Sequence, residues 1–358
     1  MDFVTRIEQI GPEHIEPYIK LSKAEYGDAA AVSKSEHLRW KFIENPQGSS
    51  TGIHLYDASG ELVGRMTALT RRFLHEGKDY RAAHIVDFLV HPKMRGMPAL
   101  FQLATGLKKL SGFDLLLIMA PNPAGAAVWE KLLKMRSRFD LDIMAAPLRP
   151  FATLQAMGKL GGGKVFSVLD WSWQLLVGSG ARFSSYLANT QIESDWPRPD
   201  ELDRMLSVGS TSQAIGFRSA NYLDWRYRRS PVFKYNMSFL REHGDLIGYV
   251  VTRRTVHDGI DCMFVVDAFC RSGTRLRSLQ AAAHAEISHA ARSGPQLALT
   301  MGNRAWGPLS AISGLPFLKV PSRVLPRKMA VFAEWLTPAA FEIRRDNFYV
   351  SLGDSDVV

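Results

Sequence analysis

Cysteine is nearly absent: Cys262 and Cys270 are the only two in 358 residues. Two thiols alone make neither a disulfide framework nor a zinc site. They are expected as buried core thiols in a reducing cytoplasm, and no metal is expected. Long apolar runs are missing too. The most apolar stretch, Val165 to Val177, is broken by Asp170 and Gln174 and falls short of the roughly 20 residues of a membrane span. The opening MDFVTRIEQIGPEH has neither the basic start nor the apolar core of a secretory signal, which again points to the cytoplasm. The patterns G-x-S-x-G, C-x-x-C and G-x-x-x-x-G-K-[ST] do not occur, which argues against serine-hydrolase, zinc-module and P-loop chemistry.

The formal charge is +9, which suits either an acidic partner (nucleic acid, a phosphorylated cofactor, an anionic glycan precursor or a membrane surface) or simply a basic, solvated surface. No run of five or more Lys and Arg occurs, and without a long basic stripe nucleic acid is not an expected partner. Trp171 and Trp173, with their aliphatic neighbours, form a stretch that either touches a membrane peripherally or packs between domains. With 46% hydrophobic and 22% charged residues, the chain has the balance of a globular protein rather than a disordered one, and its length suits two domains.

The chain repeats itself. LRWKFIENP (Leu38 to Pro46) returns as LDWRYRRSP (Leu223 to Pro231), with Leu38, Trp40 and Pro46 identical to Leu223, Trp225 and Pro231. GELVG (Gly60 to Gly64) returns as GDLIG (Gly244 to Gly248). HIVDFLV parallels MFVVDAF, setting Asp87 opposite Asp267, and LLLIMAPN parallels PQLALTMGN, setting Asn122 opposite Asn303. Four matches in one order indicate a duplicated unit. Short Val-, Ile- and Leu-rich runs read as strands and the longer periodic stretches, such as Met97 to Leu110, as helices. The expected class is therefore α/β, an α+β mixed sheet made twice. The expected boundaries are a first domain over 1–146, a linker with a helical middle over 147–205, a second domain over 206–345 and a tail over 346–358.

The segment VHPKMRGMPALFQL, Val90 to Leu103, resembles the acyl-CoA loop of the GNAT N-acetyltransferase superfamily. There, a strand ending in a hydrophobic-x-Pro step leads to Arg-x-x-Gly-x-Gly/Ala at a helix start. Backbone N–H groups at such an end attract pyrophosphate. Val90, Pro92, Arg95 and Gly96 match, whereas Pro98 and Leu100 stand where small residues are usual, and Pro98 brings no N–H. The resemblance implies two tandem domains of that fold and acetyl-CoA or another acyl-CoA as co-substrate. It implies a donor site at Leu89, Val90, Arg95, Gly96, Met97, Pro98, Ala99 and Asn122. The second copy, CRSGTRLRSL, matches only faintly. The tyrosine that serves the family as general acid is replaced by Trp129 in the first copy and Ser310 in the second; an indole N–H supplies no proton near neutrality.

Asp87, on the strand entering the loop, is the candidate catalytic base, with bracing of the strand as the plainer alternative. His84 and His91 flank the same strand and are read as structural or surface histidines. Trp40 and Trp225 either line a substrate cleft or pin a helix end to a sheet. The tandem arrangement is similar to that of mycothiol synthase, N-myristoyltransferase and the FemAB transferases. The Trp-Lys/Arg-aromatic motif is similar to that of proteins from bacterial surface-polysaccharide clusters of the holdfast type. What this implies is an N-acyltransferase whose acceptor is a small-molecule or glycan amine. The alternatives are a FemAB-like transferase using aminoacyl-tRNA and a non-catalytic binding protein of the same fold.

Overall fold

The computed structural model describes residues 3–161, 166–175, 191–207, 213–257, 259–270, 294–303, 317–325 and 327–355. The chain forms two compact units, one of residues 1–140, 212–232 and 327–348, the other of residues 141–211, 233–326 and 349–358.

The first 140 residues supply β1 (Val4–Gln9), β2 (Thr51–Tyr56), β3 (Leu62–His75), β4 (Lys78–Val90), β5 (Leu115–Met119) and β6 (Ser137–Asp140). The same stretch supplies α1 (Ile15–Tyr26), α2 (Ser35–Phe42), α3 (Met97–Leu107) and α4 (Pro123–Ala127), the last continued by a π-helical turn over Val128–Leu132. Then follow β7 (Asp142–Pro147), α5 (Pro150–Ala156), α6 (166–175), β8 (Gln191–Glu193) and β9 (Ala214–Gly216). The remaining strands are β10 (Asn236–Glu242), β11 (Asp245–His257), β12 (Ile260–Cys270), β13 (Leu297–Gly302), β14 (Leu318–Lys319), β15 (Ala330–Trp335) and β16 (Phe348–Tyr349), which pairs with β9.

The first unit's sheet runs β1-β2-β3-β4-β5-β15-β6, with β9 on the far end of β3. The second unit's runs β14-β7-β13-β12-β11-β10-β8. β4 pairs with β5 and β12 with β13 in parallel, while β3 with β4 and β11 with β12 pair antiparallel. Both are the mixed sheets expected, but their strands are not drawn from contiguous sequence. β7, expected to close the first copy, lies in the second sheet, and β15, from the second copy, lies between β5 and β6 in the first. The reason is local. Only Leu141 separates β6 from β7, and a hairpin needs at least about two residues to reverse. The chain therefore runs on, so the compact units break at 140 rather than 146. β8, inside the expected linker, is an edge strand of the second sheet.

In the first unit the sheet is covered on both faces. Ile15, Tyr18 and Leu21 of α1 and Leu38 and Phe42 of α2 pack with Leu69, Val86 and Leu89. On the other face, Ala99, Leu103 and Leu107 of α3 pack with Ile53, Met66, Ile85, Leu116, Trp129 and Phe332. Burial on both faces explains why Ala82 to Val86 reads as an unbroken apolar run around His84 rather than an alternation.

Candidate functional site

Asp87 marks the irregular point of the first sheet. Arg65 pairs with Leu89 and Thr67 with Val86, so Asp87 and Phe88 together face Met66, a bulge of two residues against one. Asp87 has φ 50°, an uncommon conformation for a residue other than glycine. β4 and β5 are paired only over Ala82–His84 and Leu115–Leu117. From Ile85 to Val90, β4 keeps β3 on one side and has no strand among the described residues on the other. The bulge thus sits where the two parallel strands part.

The Asp87 carboxylate is buried between two cations. Lys41 Nζ lies 3.0 Å from Oδ1 and Arg65 Nη2 3.4 Å from Oδ2, with the side chains of Lys41 and Arg65 only 4% and 1% exposed. Arg65 is further held by the Tyr18 carbonyl at 3.3 Å, Ser22 Oγ at 3.0 Å and the Tyr18 ring at 4.2 Å. Burial alone would raise the Asp87 pKa; Lys41 and then Arg65 overcome it and hold the carboxyl at about 2. Held between two cations, the Asp87 carboxyl keeps its charge and is a weaker base than a free carboxylate. Lys41 is the cation of the repeated Trp-Lys-Phe motif, and its role was missed because its partner lies far along the chain. Arg65 carried no sequence signal at all.

Beside the bulge is a cavity of about 210 Å³ lined by Tyr26, Ala30, Ala31, Val32, Arg65, Asp87 and Leu89. Burial raises the pKa of Tyr26 above that of a free phenol, so it stays a neutral hydrogen-bond donor near neutrality.

Past the bulge, Val90 ends β4 and its carbonyl accepts a bond from Arg95 Nε at 3.3 Å. The Arg95 guanidinium also pairs with Glu25. Gly96 is the N-cap of α3 and no side chain caps that end; Met97, Pro98 and Ala99 form its first turn, with Leu100 N closing onto the Gly96 carbonyl at 3.2 Å. The backbone N–H groups of Gly96, Met97 and Ala99 are the donors there, Pro98 having none. Residues 87–99 therefore form one continuous edge from bulge to helix end. Asn122 lies past β5, where its Oδ1 caps α4 by accepting from Gly125 N at 2.7 Å.

Trp129 is 2% exposed, 5.7 Å from Phe88 between ring centroids, and belongs to the core. Trp40 and Trp225 line no cleft in this unit. They are buried and stacked at 4.9 Å, and each indole donates to the other's backbone carbonyl, at 2.7 and 2.9 Å. Each pins the other's helix end rather than a sheet. His84 is buried in β4, and His91 Nδ1 accepts from Lys93 N at 3.3 Å.

The second unit has the same break. Val266 and Asp267 together face Val251, and β12 and β13 are paired only over Cys262–Val265 and Leu297–Thr300. Here the chain's own end fills the gap. Tyr349 donates to the Ala268 carbonyl at 3.0 Å, Val350 N to Asn303 Oδ1 at 3.3 Å, and Ser351 bridges to Gly302. Asp267 is fully buried and accepts from Tyr249 at 2.8 Å. Residues 271–279 of the segment CRSGTRLRSL and Ser310 lie outside the described residues. Cys262 and Cys270 are free, and burial pushes both thiols up to about 11.

No family model matches the sequence, and no curated protein does either. Solved structures do. A probable N-acyltransferase of unknown function from Enterococcus faecalis V583 is matched over 93% of this chain and 72% of its own, at 12% identity and TM-score 0.57. A GCN5-related N-acetyltransferase from Anabaena variabilis is matched over 92% and 72%, at 11% identity and TM-score 0.55. The Saccharomyces cerevisiae N-myristoyltransferase, solved with myristoyl-CoA, is matched over 92% and 78%, at 11% identity and TM-score 0.54. The chain has the mixed α/β fold of the GCN5-related N-acetyltransferases.

Proposed function

We propose that the protein is an N-acyltransferase that moves an acyl group from acyl-CoA to an amine, and that the first unit carries the reaction. The observation that carries this reading is the cavity at the Asp87 bulge, placed where β4 and β5 part, on the strand that leads into the uncapped start of α3. Acetyl-CoA is the simplest donor. Its pyrophosphate would meet the N–H groups of Gly96, Met97 and Ala99 and the positive end of the α3 dipole. Arg95 would exchange Glu25 for phosphate. The thioester would lie along Leu89 and Val90, where β4 has no neighbouring strand.

The cavity is smaller than the roughly 300–1,000 Å³ of pockets that enclose a whole ligand, so it takes only the reacting end of an acceptor. That suits an amino sugar of a surface polysaccharide or its precursor, whose remaining rings stay outside. The amine nitrogen attacks the thioester carbon, a C–N bond forms, the C–S bond breaks, and the thiolate leaves. No covalent enzyme intermediate is needed. Each Asp87 oxygen offers two lone-pair sites, of which Lys41 and Arg65 occupy one apiece. Those that remain can accept an N–H of the acceptor and aim its lone pair. Asp87 is thus a positioning group, and the amine's proton goes to water, since a carboxylate at about 2 takes it poorly.

Calorimetry with acetyl-CoA, myristoyl-CoA and free CoA, followed by thiol release with glucosamine as acceptor, tests the reading. CoA binding with thiol release supports it. CoA binding without release for any amine favours a binding protein, a reading to which the missing tyrosine acid lends weight. No CoA binding removes the proposal.

A further inference from the structure

In the second unit, α6 is inside out. Its half-buried and buried positions are Phe166, Asp170 and Gln174, spaced four apart on one stripe, so two of the three residues turned inward are polar. Its outward positions are Val168 at 60% exposure, Leu169, Trp171 at 60%, Trp173 and Leu175, with only Ser167 and Ser172 between them. A helix packed on a globular unit ordinarily shows the reverse pattern.

The inversion is built in. Asp170 is 2% exposed and accepts from Phe151 N and Ala152 N, both at 2.9 Å, so it caps the start of α5. Phe151 and Phe166 stack at 5.6 Å, and Trp173 Nε1 donates to the Pro147 carbonyl at 2.7 Å. These contacts fix the rotation of α6 and leave its apolar side facing water, as do Leu154 of α5 and Met157 just past its end. Contiguous exposed apolar residues of this kind mark an interaction surface.

Charge selects the occupant. Among the described residues from 149 to 175 the cations are Arg149 and Lys159 and the acid is Asp170, whose carboxylate is turned inward onto two backbone amides. The exposed face therefore offers aliphatic side chains and indoles, with Lys159 exposed just past α5 and, among the described residues of this stretch, no acid turned outward. Indoles suit the boundary between headgroups and acyl chains, and cations suit anionic headgroups. A protein partner would need its own apolar patch ringed by acids, whereas an anionic bilayer presents both features everywhere on its surface. We propose that α5 and α6 form a peripheral docking face for an anionic lipid surface. This inference is independent of the acyl-transfer reading.

The test uses the full chain with vesicles of phosphatidylcholine, with and without phosphatidylglycerol, followed by co-sedimentation and by quenching of tryptophan fluorescence with brominated lipid. Binding is expected to the anionic vesicles, to weaken as salt rises, and to be quenched. Trp171→Ser and Val168→Ser, both at exposed positions, should each lower the partition coefficient about tenfold or more with unchanged melting temperature. Lys159→Glu should weaken binding to anionic vesicles alone. Equal binding to neutral vesicles, or full binding by Trp171→Ser, overturns the proposal. So does failure to bind vesicles, whether the face then pairs two copies in solution, a dimer lost in Trp171→Ser, or stays shielded from acrylamide by the chain itself.

Discussion

Replacing Asp87 by Asn keeps the shape of the side chain and removes the charge that two buried cations share. Two magnitudes compete. The displacement of the carboxyl from 3.8 to about 2 corresponds to about 2 kcal/mol of stability, at about 1.4 kcal/mol per pKa unit. Because the folded value is the lower one, that stabilisation is present above about pH 4 and fades as pH falls toward 2. Orphaning the cations costs more. Lys41 and Arg65 are nearly without solvent access, and breaking a buried pair by deleting one partner costs about 3–5 kcal/mol. The second figure applies at neutral pH, because an amide cannot balance either cation. For a unit of this size about 2–4 °C accompanies each kcal/mol, so calorimetry should show the first unit's transition lowered by about 6–20 °C. Adding Lys41→Met to Asp87→Asn removes one orphaned charge and should restore part of the loss, a non-additive cycle. A melting temperature within a degree or two of the parent, or strictly additive effects, would refute the buried ion trio and with it the electrostatics of the site. A positioning role further predicts a fall in rate under saturating acceptor that leaves the shape of the pH–rate curve unchanged; loss of an acid limb would restore Asp87 as a base.

Arg95→Ala should weaken CoA binding by about 1.5–3 kcal/mol, roughly 10- to 150-fold, measured by calorimetry; an unchanged affinity in the folded variant would move the donor site away from α3. Burial holds His37 and His54 down to about 4, so both are neutral in the folded unit. The unfolded chain takes up their protons first, and stability should fall as pH drops from about 6.5 to about 4, by about 3 kcal/mol for each fully expressed shift. Urea midpoints across that range should fall less steeply in His54→Gln; an identical slope would contradict the burial. At Gly106 a Cβ would come 2.5 Å from Ile53 Cγ2, so Gly106→Ala should lift α3 off β2 and cost about 1–3 kcal/mol, read from the same transition.

Much of the first unit was legible because its signals are local. The run from Ala82 to Val90, the helix from Met97 and the strand from Leu115 each announce themselves within a few residues. The repeated tryptophan motif was visible too, but its use was not. Trp40 stacks on its own counterpart, Trp225, and Lys41 turns to a carboxylate 46 positions away. Nothing in the order of residues between them records that meeting. Asn122 adds a contact that the sequence did not announce: its oxygen caps α4.

The sequence by itself determined the fold class and the Arg95-Gly96 turn into α3, since periodicity, turn chemistry and capping act over a few residues. Only the tertiary structure decided which strands share a sheet, because β pairing is indifferent to separation along the chain. It alone sent β7 and β15 into each other's expected places. It alone filled the second unit's gap with residues 349–351 and left the first unit's gap beside a cavity. It also set the charge of the site, since the hold on Asp87 depends on how deeply Lys41 and Arg65 are buried with it, and burial is a property of the assembled unit.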